Sequence, residues 1–250
     1  EAYAEMDKRT PLGRETIAPL FKQDVELSGV EPQTRGFFFY YAGREYFQRT
    51  LWRRAEGAFK QVPPASALYP KALFHLGVGS HLSGDSLSSE RYFDKAFEAG
   101  STLSNSNWFR EQILLNLARI HYEKRDFVRA LEYYAKIPRH SENWLTALLE
   151  SAWAFFLMEK PNNALGYIHT LHSPFFEKRL FPESFILQAT TFLRLCRFDR
   201  VKESVDAFDR RYGSVFKQVR EVLNAAERNP EFLYELVRDY KLQKLKQFQN

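Results

Sequence analysis

The chain has 250 residues, of which 44% are apolar and 27% charged, the balance of a folded globular protein rather than a disordered or fibrous one. Its 36 basic and 31 acidic residues give a net charge of +5 and are interspersed, with no run of five Lys or Arg, which speaks against a nucleic-acid tract. Cys196 is the lone cysteine, so no internal disulfide forms, and no apolar stretch is long enough to cross a bilayer. Gly and Pro are sparse, with 11 of each, and no Asn-Gly or Asp-Gly pair occurs, which favours helices over hairpins. Glu1 rather than Met opens the chain, so a leader or anchor removed upstream would leave no trace.

In chain order, residues 1–33 hold Pro11, Gly13, Pro19 and Gly29 and are weakly periodic; they are expected to form an arm or a capping helix. From residue 34 an apolar pattern of helical period sets in. Phe39, Gly43, Tyr46, Trp52, Ala55, Phe59 and Val62 make a first helical hairpin, closed by Pro63 and Pro64. Leu73, Leu76, Gly77, Gly84, Asp85, Ser89, Phe93 and Ala96 make a second. The clearest is the third, around 116–137, where two amphipathic helices meet at the tight charged turn Lys124-Arg125-Asp126, with Leu114, Leu117, Ala118, Tyr122, Phe127, Ala130, Tyr134 and Ile137 as its apolar set. Leu148, Ala152, Phe155, Ala164, Ile168 and Leu171 follow as a fourth, and Phe185, Ala189, Phe192, Phe198, Val201, Val205 and Phe208 as a fifth. Two further helices are expected at 214–228 and 230–250, with Asn229-Pro230 between them.

The small residue of each second helix recurs at Ala55, Ser89, Ala130, Ala164 and Val201, with spacings of 34, 41, 34 and 37. The 41 absorbs the polar insertion 101–107, and the 37 a longer turn near 172–178. Small residues at these points let paired helices cross closely, while large rings fill the flanks. In this period, and in the small, Asp and aromatic positions of the third unit, the chain resembles the tetratricopeptide-repeat family; Arg125 stands where the family's turn glycine is found. The resemblance implies an all-α, right-handed superhelical solenoid of about five helix-turn-helix units over 34–212, with capping helices over 213–250 and about twelve helices in all. The alternative is an irregular all-helical domain with coincident spacing.

The same resemblance implies a binding face. In the family the first helix of each unit lines the concave surface. Carried over, its inward positions are Phe37, Tyr40, Arg44 and Phe47, then Phe74, Val78 and His81, then Leu115, Arg119 and Tyr122, then Trp153 and Phe156, then Leu193 and Arg194. Lys71, Leu82, Gln112, Glu123, Thr146, Leu149, Leu157, Glu183, Ile186 and Thr190 share those positions. This wall is largely aromatic and aliphatic with arginines along it, so it is expected to take an apolar or amphipathic peptide or helix with acidic flanks. Val78 and Trp153 occupy places where the family's carboxylate-gripping set needs polar groups.

No catalytic set converges in the sequence. His169 and His172 share a helix face but have no third metal ligand at a supporting spacing, Gly77-Val78-Gly79 lacks the strand and third glycine of a phosphate loop, and Cys196 has no neighbouring base. The expectation is a non-enzymatic scaffold or adaptor without cofactor or metal. Two alternatives stay open: a structural or oligomerising module whose groove is filled by its own terminal segment, and the non-catalytic part of a larger regulatory protein. Residues 177–212 resemble, in texture, tetratricopeptide proteins of bacterial cell envelopes and motility systems, which puts the periplasm or envelope slightly ahead of the cytoplasm.

Overall fold

The computed structural model describes residues 29–103, 106–229 and 231–247, and among them every regular element is helical. The arm or capping helix expected over residues 1–33 lies almost wholly outside the described residues. Two compact units divide the chain, the first ending at Ala154 and the second beginning at Phe155.

The first unit is built from helical hairpins. α1 (Pro32–Gln48) pairs with α2 (Trp52–Lys60), α3 (Tyr69–Leu82) with α4 (Ser86–Ala99), and α5 (Ser106–Glu123) with α6 (Phe127–Ala135). α2 packs on α3 and α4 on α5, and the first helices touch in the order α1, α3, α5. α7 (Trp144–Leu157) follows and runs across the boundary between the units.

The predicted small residues are what make the crossings close. Ala55, Ser89, Ala130 and Ala164 are fully buried, as are Ala96 and Ala118. A Cβ placed on Gly43 would lie 2.5 Å from the Phe59 ring, and one on Gly77 2.9 Å from the Phe93 ring. Ser89 replaces alanine without loss because its hydroxyl donates to the Gly77 carbonyl at 2.8 Å, so the buried polar group is satisfied. Around these crossings Phe59, Phe93, Ile113 and Ile120 form the core, with Tyr134 and Ile137 in a neighbouring cluster.

The turns inside the hairpins follow one template. Thr50, Gly84, Arg125, Glu159 and Cys196 all have positive φ, between 53° and 82°. Their spacings repeat the 34, 41, 34 and 37 of the small residues. Asp85 and Asp126 then cap the second helices, accepting from the backbone N–H of Ser88 and Arg129. The expected insertion appears as a 3₁₀ turn, Gly100–Thr102, ahead of α5.

The second unit holds α8 (Pro161–Leu171), a 3₁₀ turn at Pro174–Phe176, α9 (Pro182–Arg194), α10 (Phe198–Arg228) and α11 (Glu231–Gln247). The 3₁₀ turn is the longer connection expected near 172–178. One expectation is corrected: no separate helix starts at residue 214. α10 runs unbroken for 31 residues through Gly213. A helix-interior glycine costs only about 1 kcal/mol, and the apolar seam Val201, Val205, Phe208, Tyr212, Val215, Val219, Val222 and Ala226 continues through it with alternating spacings of 4 and 3.

Candidate protein-interaction surface

The first-helix face predicted to bind a partner has a different make-up in each unit. In the first unit much of it is already committed. Two predicted wall residues are core residues. Tyr40 is only 6% exposed, its ring packed near Phe59 and its hydroxyl 3.4 Å from His75 Nε2. Leu115 is 3% exposed, clustered with Ala118, Ala130 and Tyr134. Both are turned inward because α1 and α5 are apolar on more than one face, as in the aromatic run Phe37–Tyr41, and the hairpin partner claims the additional rings.

Phe37, Phe47, Phe74, Val78, His81 and Tyr122 are half-buried. Phe37 lies 4.5 Å from the Tyr41 ring, Phe47 meets Trp52 edge-on, and Phe74 packs on Phe93 and Phe109. The polar members hold neighbouring helices together. Arg119 Nε donates to both carboxylate oxygens of Glu150 at 3.0 Å, a fork that bridges α5 and α7. His81 Nε2 sits 3.2 Å from Glu123 Oε1, joining α3 to α5. The Arg44 guanidinium lies 5.5 Å from the Tyr41 ring centre and 6.0 Å from that of Tyr40. Beneath this face the His75 imidazole stacks on Phe59, and its pKa falls to about 4, because burial disfavours the charged ring and Arg44 repels it. Trp153, near the end of this unit on α7, is half-buried.

In the second unit the face is more open. Leu193 is 53% exposed and Ile186, about two helical turns before it on α9, 57%. Leu157 on α7 is also exposed. Arg194 does not stand free: its guanidinium lies over the half-buried Phe156 ring at 4.8 Å, donates to the Phe156 carbonyl and bonds Glu159. Arg119 and Arg194, expected to meet acidic flanks of a partner, thus both serve intramolecular carboxylates.

Two surfaces were missed in the sequence reading. Beyond Tyr212, α10 leaves Val215 and Val219 of its seam exposed, with Phe216 and Leu223 beside them, and α11, expected as a capping helix, exposes Leu233, Leu236, Val237 and Tyr240. The 4-and-3 spacing through Gly213 was the available signal. The other is a cleft among α8, α9 and α10, assembled from three helices and carrying no local signature.

No family model matches the sequence, and no curated protein matches it either. Solved structures do match in fold. The crystal structure of MamA superposes with a TM-score of 0.59 at 11% identity, over 73% of this chain and 94% of that one. PilW, described as a widely conserved type IV pilus biogenesis factor, gives 0.61 at 16%, over 81% and 86%. BtubC (BKLC) from P. vanneervenii gives 0.57 at 15%, over 82% and 92%. At such identities the likeness is one of fold. The protein has the tetratricopeptide-type helical-repeat fold that the residue period implied.

Proposed function

We propose that this chain is a non-catalytic protein-interaction scaffold whose first-helix face grips an apolar or amphipathic segment of a partner protein. The observation that carries the reading is the pair Ile186 and Leu193, both more than half exposed on the side of α9 that the family resemblance assigns to a partner. An aliphatic strip left in water on an otherwise well-packed helix is an interaction site by its chemistry. In the first unit, the resemblance assigns Phe37, Phe47, Phe74, Val78, Tyr122 and Trp153 to the corresponding first-helix positions, and in the second it assigns Phe156. His81, Arg119 and Arg194 act as ties between neighbouring elements, so acidic flanks on the partner are not what these positions select.

A photo-crosslinking amino acid at Leu193, used in the native cell, tests the proposal. It is expected to capture a defined partner, and Ile186→Glu in the same chain is expected to abolish the capture while helicity is retained. Capture that survives Ile186→Glu, or no capture at Leu193 while a crosslinker at exposed Leu87 on α4 traps a partner, would overturn it.

A second reading, an oligomerising module, is favoured by the exposed seam of α10. It predicts a mass above that of a monomer by light scattering, reduced to 29.5 kDa by Val219→Glu.

A further inference from the structure

The cleft in the second unit has a volume of about 740 Å³, within the range of ligand-binding clefts. It opens on a different side of α9 from Ile186 and Leu193. Phe185 and Phe192 of α9, with Ala207 of α10, give it an apolar floor. Its rim is cationic. Arg200 and, nearly three turns on, the adjacent Arg210 and Arg211 come from α10, and His169 and His172 from the end of α8.

The state of each charged group decides what the cleft can take. Arg200 is neutralised by Glu203 at 2.7 Å. Arg211 is fixed in place, because its Nη2 donates to the carbonyls of Phe176, Glu177 and Arg179 and so caps the 3₁₀ turn. Those carbonyls hold the guanidinium without cancelling its charge. Arg210 is exposed and is held by no acidic side chain among the described residues. Against these cations stands Glu177 at the mouth. His172 reports the resulting field: stacked 4.0 Å from Phe185 and bonded to Ser184, its pKa drops to about 4, through burial and through repulsion by Arg211 and His169. It stays a neutral wall at physiological pH. A site with two uncancelled guanidinium groups above an aromatic floor suits carboxylates attached to an apolar side chain, since guanidinium binds carboxylate in a fixed fork.

We propose that this cleft binds an acidic peptide segment of a partner protein, its carboxylates on Arg210 and Arg211 and one apolar side chain against Phe185, Phe192 and Ala207. The site is separate from the face of Ile186 and Leu193, and gives the scaffold a second, charge-selective contact.

Fluorescence anisotropy of the full chain with a labelled peptide of Glu-Glu-Leu repeats tests this, with the Lys-Lys-Leu counterpart and citrate as comparisons. The acidic peptide is expected to bind saturably and to weaken as salt is raised. Arg210→Glu is expected to weaken it about tenfold or more, and Ala207→Trp, which fills the floor, to abolish it. Arg228→Glu in the last turn of α10 and Ile186→Glu on the other face are expected to leave it unchanged, so failure here is separable from failure of the scaffold face. Equal binding of the basic peptide, indifference to Arg210→Glu, or no binding at all overturns the proposal. So does displacement by citrate at concentrations matching unlabelled peptide, which would mark a small-anion site.

Discussion

The two units use the same residue types to opposite ends. In the first, Phe59 and Phe93 on the second helices of the hairpins turn inward and are 1% exposed. In the second, Phe198 is 66% exposed and Phe216 54%, on a helix as amphipathic as those before it. The sequence period does not change at the boundary. What changes is the neighbour: a repeat's apolar face is buried only by the element stacked against it, and the latter half of α10 carries a seam with little laid over it. Burial in this fold belongs to pairs of elements, so a seam that its neighbours cover only in part stays partly in water.

The sharpest way to break this contrast is truncation on each side of it. Phe93→Ala should destabilise the first unit by about 4 kcal/mol, through lost burial and the cavity left behind, whereas Leu223→Ala should stay within about 0.5 kcal/mol. All four tryptophans, Trp52, Trp108, Trp144 and Trp153, lie in the first unit, so their fluorescence in denaturant follows its unfolding, while circular dichroism follows the whole. A loss at Leu223 as large as that at Phe93 would mean the seam is covered and the contrast false.

Acid should affect both units in the same direction, because each holds an imidazole whose pKa is lowered chiefly by burial. His75 and His172 have pKa values near 4, against an ordinary 6.5. Above pH 6.5 both rings are neutral folded or unfolded and contribute no pH dependence. Between 6.5 and 4 the unfolded chain takes up protons that the folded rings refuse, so stability falls with pH; below 4 the loss is complete. The His75 ring accounts for at most about 3 kcal/mol, and the more exposed His172 ring for less, because solvent screens it. His75→Phe and His172→Phe should each flatten the stability profile across that window, measured against the parent chain so that carboxylate titration cancels. A profile equally steep in both variants would show that the rings are hydrated.

Glycines sharpen the comparison with one substitution of two signs. Gly43→Ala drives a methyl to 2.5 Å from the buried Phe59 ring and should cost about 2 kcal/mol net of helix propensity. Gly166 in α8 has nothing within 4 Å of an added Cβ, so Gly166→Ala should stabilise by about 1 kcal/mol. Thermal melts of the two variants read the difference directly.

These positions also mark how far the sequence could be read. The fold was legible because close helix crossings need small residues at fixed intervals, a local demand that Ala55, Ser89, Ala130 and Ala164 record in one dimension. The site was less so. Arg119 and Arg194 were legible as positions on the first-helix face, but their partners Glu150 and Glu159 lie 31 and 35 residues away, and only the stacking of helices brings them into reach. Tyr40 and Leu115 fall at family wall positions, yet a helix apolar on several faces can turn such a residue inward. A new helix was expected from 214 because the repeat frame ends at 212; the apolar seam is unbroken on either side of Gly213, and the helix passes through it. The cleft draws on three helices, and no linear pattern encodes it.

The smallest expected effect concerns the feature the two units share. Thr50 and Arg125 in the first, and Glu159 and Cys196 in the second, hold left-handed backbone without being glycine. For an L-residue that conformation costs about 1 kcal/mol, and most for β-branched Thr50, whose hydroxyl bonds the Arg49 carbonyl at 2.6 Å. Thr50→Gly and Glu159→Gly should therefore each stabilise by somewhat under about 1 kcal/mol, since glycine's greater freedom when unfolded offsets part of the relief. Gly84→Ala should destabilise by a similar amount, with open space around its Cβ leaving backbone strain as the cause. Near-equal gains at Thr50 and Glu159 in denaturant titration would show that the hairpin turn is governed locally, in contrast to the burial of the rings, which depends on what is stacked beside them. A gain at Thr50 and none at Glu159 would mean that the difference between the units reaches down to the turn itself.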